Sequence, residues 1–312
     1  MFKSVVFFSE SQIRGKVDRT FPNARNDIAW SIMMDADWCP YGVVPQKKYE
    51  LGIVTIPKTK PNINFEILKQ YCDKIAVMQE GPHWYFQDYS VEQQFQFIEN
   101  LRSADWVYCH NESDKPYYVG LGCKDVRVMR TLMLPEGLDS QRYSSDKEGI
   151  LLGGNFTSWY SGLDSYLIAH AVNEPITNVS MGRKQEEEDM IPDITYLPYM
   201  SWRDWIDECG KYKVGIHMMR THAAGTFSMN LSWHGTPCLG YYGLDTQDLL
   251  HPQTTVEVGD ITGAQQILKR LYDDEFFYQE CSEQTKELFD KHYSEDAWLE
   301  DFKKVNKEFN NG

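Results

Sequence analysis

The chain has 312 residues, 42% of them hydrophobic and 14% aromatic, which suffices for the cores of about two domains. This composition excludes a disordered chain, a collagen-like fibre and a disulfide-stabilised mini-protein. The net charge of −15 lies almost entirely in residues 148–312, which hold 13 basic and 27 acidic residues against 18 and 19 in residues 1–147. The acidic half is unsuited to nucleic acid, whereas the first sixty residues, with nine basic and six acidic side chains, leave the first half open to it.

The sequence also bears on the compartment. Its apolar runs are too short to span a bilayer, and the N-terminal stretch has neither the apolar length nor the cleavage site of a signal peptide. The seven cysteines are an odd, scattered set without a CxxC pair, which favours reduced thiols over disulfides or structural zinc. A cytoplasmic protein is expected, in the host cytoplasm if the source is viral.

The first half alternates strands with helices. Its buried apolar runs predict strands, and apolar residues at helical spacing predict helices between them. Such alternation is typical of a parallel sheet covered on both faces. In chain order the predictions are a strand at 5–11, a helix at 26–34, a strand at 49–57, a helix at 64–74, a strand at 75–82, a helix at 91–104 and strands at 106–111 and 126–137.

A polar stretch at 139–148 predicts the linker between two domains, 1–147 and 148–312. A second alternation follows it and ends in three helices. The predicted strands are 149–155, 176–182, 194–200, 213–219, 236–242 and 254–260, and the predicted helices are 163–172, 201–210, 227–234, 263–273, 275–291 and 295–309.

Four segments of the second half carry a family resemblance. They are GILLGGN, SMGRK, YLPYMSWRDWIDECGKYKVGIHMM and AAGTFSMNLSWHGTPCLGYYG, in that order along the chain. From about residue 149 onward the chain resembles the donor domain of GT-B glycosyltransferases of the family 4-like, group 1 type. The resemblance implies an α/β protein with two Rossmann-like domains facing a cleft and a C-terminal helix returning to the first domain. It also implies an enzyme that moves a sugar from a nucleotide-sugar, with a UDP-sugar as first choice, to an acceptor hydroxyl.

Glycine turns at helix starts explain how such a domain holds a diphosphate, because unpaired backbone N–H groups and the helix dipole attract its oxygens. No motif requires a divalent metal or a tightly bound cofactor. Where the family has two glutamates, this chain has His222 and Asn230, and its usual Arg and Lys are replaced by Asn155 and, approximately, Ser161. The predicted donor-binding residues are therefore Gly154, Asn155, Arg183, Arg220, His222, Gly225, Thr226 and Asn230, with the two arginines as the available cations.

The acceptor side is predicted at the carboxyl ends of the first-half strands. An inverting transfer needs a general base there, and Glu80 is the first candidate, with His110 and Asp27 as alternatives. Asn26 and Asp27 also suit plain helix caps. The predicted acceptor-binding residues are Arg25, Asn26, Trp30, His83 and Trp84.

The acceptor itself stays open at this point. GGNFTSWYSG and the compact size are loosely similar to phage enzymes that glucosylate hydroxymethylated bases in DNA, and the basic residues of the first half suit a phosphate backbone. A saccharide or another small molecule is the alternative acceptor. A scaffold that binds a nucleotide without transferring is the non-catalytic alternative, motivated by the missing glutamate pair. The sequence does not determine the oligomeric state.

Overall fold

The computed structural model describes residues 2–56, 63–79, 81, 85–138, 142, 146–157, 159–179 and 184–307. These residues form two compact units, one of Met1–Leu134 with Glu295–Gly312 and the other of Pro135–Ser294. The predicted linker lies partly outside the described residues, at 139–141 and 143–145. A domain boundary between residues 147 and 148 therefore stays a prediction.

The first unit is built on a six-stranded parallel sheet in the order β2-β1-β3-β4-β5-β6. The central strands are buried on both faces, as their near-continuous apolar sequences require. The strands are β1 (Val5–Ser9), β2 (Asp37–Pro40), β3 (Tyr49–Thr55), β4 (Cys72–Met78), β5 (Trp106–Cys109) and β6 (Val126–Val128). The helices are α1 (Asn26–Met33), α2 (Phe65–Leu68), α3 (Val91–Ser103), α4 (Lys115–Gly120) and α11 (Glu295–Val305).

The C-terminal helix α11 packs into the core of this first unit. Its Trp298 is fully buried, lies 5.3 Å from the ring of Trp30 and donates a hydrogen bond to the Arg130 carbonyl at 3.0 Å. Just beyond the helix, Asn306 accepts a hydrogen bond from the Tyr108 hydroxyl at 2.7 Å. The predicted return of the last helix to the first domain is confirmed.

The second unit has a six-stranded parallel sheet in the order β12-β11-β10-β7-β8-β9, in which β7 and β10 lie side by side at its centre. This is the order of a Rossmann fold, and ligands bind such sheets at the carboxyl ends of the central strands. The strands are β7 (Ile150–Gly153), β8 (Ile176–Val179), β9 (Ile194–Tyr196), β10 (Val214–His217), β11 (Cys238–Tyr241) and β12 (Thr255–Val256). The helices are α5 (Gly162–Ala169), α6 (Trp202–Cys209), α7 (Thr226–Trp233), α8 (Asp245–Leu250), α9 (Ile261–Asp273) and α10 (Glu275–His292).

Some element predictions were wrong. The helix predicted at 64–74 ends at Leu68, because the chain from Cys72 pairs with Tyr49 as the start of β4. The strand predicted at 126–137 ends at Val128. Strand β2 and helices α4 and α8 were not predicted, since these short segments carry too few residues to show a period.

Candidate functional site

The turn after β7 is closely packed around two glycines. A Cβ on Gly153 would lie 2.8 Å from the ring atoms of both His217 and Phe227. Gly154 has φ +78°, and a Cβ there would lie 2.8 Å from the Tyr160 ring. Asn155 follows, is buried, and accepts hydrogen bonds from the backbone N–H and the hydroxyl of Thr157. Only glycine fits at both positions, so the backbone of this turn comes close to its neighbours.

A second glycine turn begins helix α7. Gly225 has φ +69°, and a Cβ there would lie 2.0 Å from Thr246 Oγ1. The helix starts at Thr226, and within the described part of the chain no side chain caps its first N–H groups. Such a helix start attracts anions. The predicted glycine turns at Gly154 and Gly225 thus both occur at the carboxyl ends of strands, after β7 and after β10.

Several buried polar side-chain atoms in and beside these two turns have no hydrogen-bond partner among the residues that the structure describes. His217 ends β10, with its ring 5.1 Å from that of Phe227 and 6.0 Å from that of Tyr160. Burial lowers the pKa of His217 to about 4. Leaving a buried polar atom unpaired costs about 1–3 kcal/mol, so several such atoms at one edge of a sheet mark a candidate binding site for a polar ligand. Within the described part of the second unit, the side-chain atoms concerned include Ser161 Oγ, Asn178 Oδ1, Glu188 Oε2, His217 Nε2 and Asn230 Oδ1.

Arg220, a predicted diphosphate ligand, follows β10 and is held by a carboxylate. Its Nε donates to Asp164 Oδ2 at 3.1 Å, and its Nη2 donates to the same oxygen. The Tyr241 hydroxyl also donates to that oxygen, at 2.9 Å. The hydrogen bond to Asp164 raises the pKa of Arg220. The guanidinium is half exposed, so the ion pair orients it without enclosing it.

Three further residues were predicted to bind the donor, namely His222, Asn230 and Arg183. His222 lies at the turn after β11, where its Nε2 would be 2.7 Å from a Cβ on Gly243. Near this turn, burial raises the pKa of Asp248 to about 6, although hydrogen bonds from the Gly243 N–H oppose the shift. Asn230 is buried on α7 with its carbonyl oxygen unpartnered among the described residues. Arg183 lies outside the described residues.

On the first unit, His110 follows β5 and both of its ring nitrogens have partners. Its Nδ1 lies 3.0 Å from the Met129 carbonyl, which can only accept, so Nδ1 carries the proton. Its Nε2 then accepts from the Asn26 amide at 3.1 Å, and the Asn26 carbonyl accepts from Leu132 N–H at 2.9 Å. Burial lowers the pKa of His110. A neutral ring with both nitrogens bonded fixes the start of α1 and has no free nitrogen to accept a substrate proton.

Asp27 is a buried carboxylate at the first turn of α1. It accepts two hydrogen bonds from Arg25, at 3.0 Å from Nε and 2.7 Å from Nη2, and a third from Ile28 N–H at 2.8 Å. Burial raises the pKa of Asp27 although Arg25 opposes the shift. Arg25 is half exposed and is committed to this carboxylate. Of the three candidates for general base, Asp27 is the one whose carboxylate the structure describes.

Trp30 is fully buried between Tyr108, His110 and Trp298, which is a core position that offers no surface to an acceptor. The remaining predictions, Glu80, His83 and Trp84, lie outside the described residues. At the carboxyl ends of β3 and β4, two neutral polar atoms are buried without a partner in the described chain, Thr55 Oγ1 and Gln79 Oε1.

Four of the basic side chains near the N-terminus of the first unit are ion-paired with carboxylates. Lys16 pairs with Asp35, Arg19 with Glu295, Arg25 with Asp27 and Lys47 with Asp37. These pairs reduce the charge that the first unit can offer to a phosphate backbone.

The described residues contain no group of three or more His, Cys, Asp and Glu side chains placed to hold a metal ion. None of their helices combines the length and the apolar character needed to cross a membrane.

Together the two sheets and the returning helix define the GT-B fold. Sucrose-phosphate synthase from Thermosynechococcus elongatus is similar over 99% of this chain and 100% of its own, with TM-score 0.67 and 11% identity. Anabaena HepE in complex with UDP and glucose is similar over 98% and 99%, with TM-score 0.65 and 8% identity. Trehalose-6-phosphate synthase from E. coli, bound with UDP-2-fluoro glucose, is similar over 83% and 73%, with TM-score 0.62 and 11% identity. No protein-family model and no curated protein sequence matches the chain.

Several residues of the candidate site were not found by sequence reasoning. His217 stood within a predicted strand, and Glu188 within a run that suggested only a solvated acidic loop. Thr55, Gln79 and Asn178 are ordinary strand residues in sequence. The signal that identifies all five is a buried polar atom without a partner among the described residues, and this signal exists only in three dimensions.

Proposed function

We propose that this protein is a glycosyltransferase that uses a nucleotide-sugar, with a UDP-sugar as first choice, and that the second unit binds the donor. The observation that supports the proposal is the set of buried polar atoms around the two glycine turns that have no partner among the described residues. The most important is His217 Nε2, on a ring that lies against Gly153 and Phe227. The diphosphate oxygens would accept hydrogen bonds from the N–H groups at the start of α7 and from the Arg220 guanidinium. They would also accept one from the His217 ring when its Nε2 carries the proton.

Two of the proteins with this fold support UDP as the nucleotide. One was solved with UDP-2-fluoro glucose and another with UDP and glucose. Their identity to this chain is low, so they support the choice of donor class, and the sugar itself stays open.

The first unit would supply the acceptor side. Transfer requires that the acceptor hydroxyl lose its proton, and Asp27 and Glu80 are the carboxylates proposed for that step. A raised pKa makes Asp27 a stronger base than an ordinary aspartate, provided the pH keeps it ionised. The committed ring of His110 makes it a positioning residue for Asn26 at the start of α1.

We favour a saccharide or another small hydroxylated acceptor. Thr55 Oγ1 and Gln79 Oε1 are neutral polar atoms that suit hydroxyl groups, and four basic side chains of the first unit are already paired. A hydroxymethylated DNA base is the alternative acceptor. Salt-dependent retention of the protein on DNA would favour DNA, and unretained protein at low salt would favour the small acceptor.

The test is a thermal-shift screen of wild type and His217→Phe against a panel of nucleotide-sugars. At 100 times its dissociation constant, a bound donor adds about 2.7 kcal/mol of stability. We expect at least one donor to raise the midpoint of wild type and to have a smaller effect on His217→Phe, which keeps the ring and removes Nε2. A panel that leaves the wild-type midpoint unchanged would refute the proposal. Slow hydrolysis of the bound donor would separate an enzyme from a non-catalytic scaffold.

A further inference from the structure

Glu188 differs from its neighbours in the acidic run EEED. Glu186, Glu187 and Asp189 are exposed, as expected of a solvated loop, whereas Glu188 is only 2% exposed. A glutamate is rarely buried without a compensating partner, because the ionised carboxylate loses its hydration.

One oxygen of this carboxylate accepts backbone hydrogen bonds. The Tyr196 hydroxyl also lies close to Glu188: it donates to the Glu188 carbonyl at 3.3 Å, and its pKa is raised by burial and then by the Glu188 carboxylate. Glu188 Oε1 accepts from Gln185 N–H at 3.0 Å and, in a longer contact, from Phe156 N–H at 3.5 Å. Glu188 Oε2 is buried and has no hydrogen-bond partner among the described residues. The nearby Lys184 is paired with Asp189. The turn that Glu188 caps therefore accounts for Oε1 and leaves Oε2 unexplained.

A second unpartnered acceptor lies beside the same loop. Asn178 is fully buried in β8 and donates from Nδ2 to the Gly154 carbonyl at 3.0 Å. Its Oδ1 has no partner in the described chain. Glu188 contacts Phe156, two residues further along the loop that begins at Gly154. The two acceptors thus lie near the turn after β7, on the side of β8.

The candidate phosphate groups lie on the other side of β7. His217 belongs to β10, and α7 follows it, while β8 is the opposite neighbour of β7. Neighbouring strands are about 4.8 Å apart, so β8 and β10 are separated by roughly 10 Å. A ligand whose diphosphate lies at the glycine turns would extend one of its ends toward β8.

We infer that Glu188, together with Asn178, accepts hydrogen bonds from the nucleoside of the nucleotide-sugar; this rests on the proposed function. Two unpartnered acceptors require N–H or O–H donors, which an ionised diphosphate lacks and a nucleoside has in its ribose hydroxyls and its base. The transferred sugar also has hydroxyls, but it must remain accessible to an acceptor. Glu188 is enclosed within the second unit, which suits the part of the ligand that is held.

The test compares Glu188→Gln with the exposed control Glu187→Gln in calorimetric titrations of UDP, 2′-deoxy-UDP, GDP and inorganic pyrophosphate. Glutamine keeps the shape and an oxygen for the turn, but removes the charge. We expect Glu188→Gln to weaken UDP binding by about 10- to 100-fold, the range for a hydrogen bond to a charged group, and to leave pyrophosphate binding unchanged. The unliganded unfolding midpoint should stay equal or rise, since an unpaired buried charge is removed.

The probes also distinguish the source of the hydrogen bond. If the variant and wild type bind 2′-deoxy-UDP equally well, the ribose 2′-hydroxyl is the donor. If the loss persists with 2′-deoxy-UDP and differs between UDP and GDP, the base is the donor. Equal affinities of Glu188→Gln and wild type for UDP and GDP would overturn the inference alone, as would equal losses for pyrophosphate. Failure of wild type to bind any nucleotide would refute the proposed function as well.

Discussion

The carboxyl edges of the two sheets differ in whether their buried ionisable groups have hydrogen-bond partners. In the first unit His110 uses both ring nitrogens, and Asp27 accepts three hydrogen bonds. In the second unit His217 and Glu188 are equally buried, but His217 Nε2 and Glu188 Oε2 have no partner in the described chain. Both edges are made by the same kind of parallel sheet, so the fold alone does not produce the difference.

This difference predicts different roles for the two units. A buried group without a partner destabilises the unliganded protein and is relieved when a ligand supplies the missing hydrogen bond. A group that already has its partners gains little from binding but is held in a fixed position, as a catalytic group must be. We therefore expect donor affinity to depend on the second unit and the rate of transfer to depend on the first.

The largest expected effect is on the rate of transfer. If Asp27 is the general base, Asp27→Asn should lower transfer by about 10²–10⁴-fold while donor binding is retained, and the same holds for Glu80→Gln if Glu80 is the base. Because burial raises the pKa of Asp27, wild-type transfer through Asp27 should fall on acidification at a higher pH than an ordinary aspartate would give. Steady-state rates from pH 4 to 8 measure both effects.

The control for this experiment is Asp37→Asn, a carboxylate at the start of β2, at the opposite end of the strands. Its transfer rate should match wild type. Loss of donor binding in Asp27→Asn with an unchanged unfolding midpoint would contradict the division between the two units. Full activity in both Asp27→Asn and Glu80→Gln would instead favour a mechanism in which the leaving phosphate takes the proton.

The second effect concerns the glycine turn before α7. Gly225→Ala should lower the free energy of unfolding by about 2–4 kcal/mol, because alanine is strained at φ +69° and its Cβ would meet Thr246. Gly259→Ala has the same kind of backbone, φ +90°, with no atom within 4 Å, so it should cost only about 1 kcal/mol. Urea unfolding of the two variants measures the difference. Equal losses would show that the close approach at Gly225 contributes nothing.

Sequence patterns predicted much of this architecture. Alternating apolar strands and amphipathic helices indicated two parallel sheets, and the glycine turns after β7 and β10 are local features that a sequence displays directly. The short strand β2 was missed because four residues, Asp37–Pro40, show no period and pair only through the tertiary fold. The helix predicted over 64–74 was wrong because pairing of Cys72 with Tyr49 overrides the helical spacing.

The candidate site was less predictable. Trp30 and Asp27 have similar sequence surroundings, yet one is a core residue and the other an ion-paired carboxylate. Glu188 could not be distinguished from Glu187 by its neighbours, since both stand in one acidic run. Which member of a run turns inward depends on the loops packed against it, here through Phe156.

A third prediction concerns the cation of the second unit. Arg220→Ala should weaken nucleotide-sugar binding by about 1.5–3 kcal/mol, the range for hydrogen bonds to charged groups. Arg220 is positioned for this by Asp164, which occupies Nε and Nη2; among the described residues Nη1 has no partner. Arg270→Ala removes another exposed, ion-paired arginine and should leave donor affinity unchanged. Unaltered affinity in Arg220→Ala, measured by calorimetry, would remove Arg220 from the site.

The smallest expected effect is on the stability of the unliganded protein, and it compares a buried histidine that has hydrogen-bond partners with one that lacks a partner at Nε2. His251 and His217 are both buried in the second unit, and burial lowers the pKa of each to about 4. His251 has partners on both nitrogens, Nε2 with the Ser228 carbonyl at 3.0 Å and Nδ1 with Cys238 N–H at 3.2 Å. We therefore expect His251→Phe to lower the free energy of unfolding at pH 7 by about 1–3 kcal/mol, and His217→Phe to leave it unchanged or raise it.

The pH dependence of the free energy of unfolding provides a second test of His217. A histidine whose pKa falls from about 6.5 to about 4 on folding contributes stability above pH 6.5 that is lost as the pH falls toward 4. At pH 5 this amounts to about 2 kcal/mol for His217, so wild type should lose about that much more than His217→Phe between pH 7 and pH 5. Urea unfolding at the two pH values measures it. If His217→Phe proves as destabilising at pH 7 as His251→Phe, the His217 ring has a structural partner. The difference between the carboxyl edges of the two sheets would then not hold for His217.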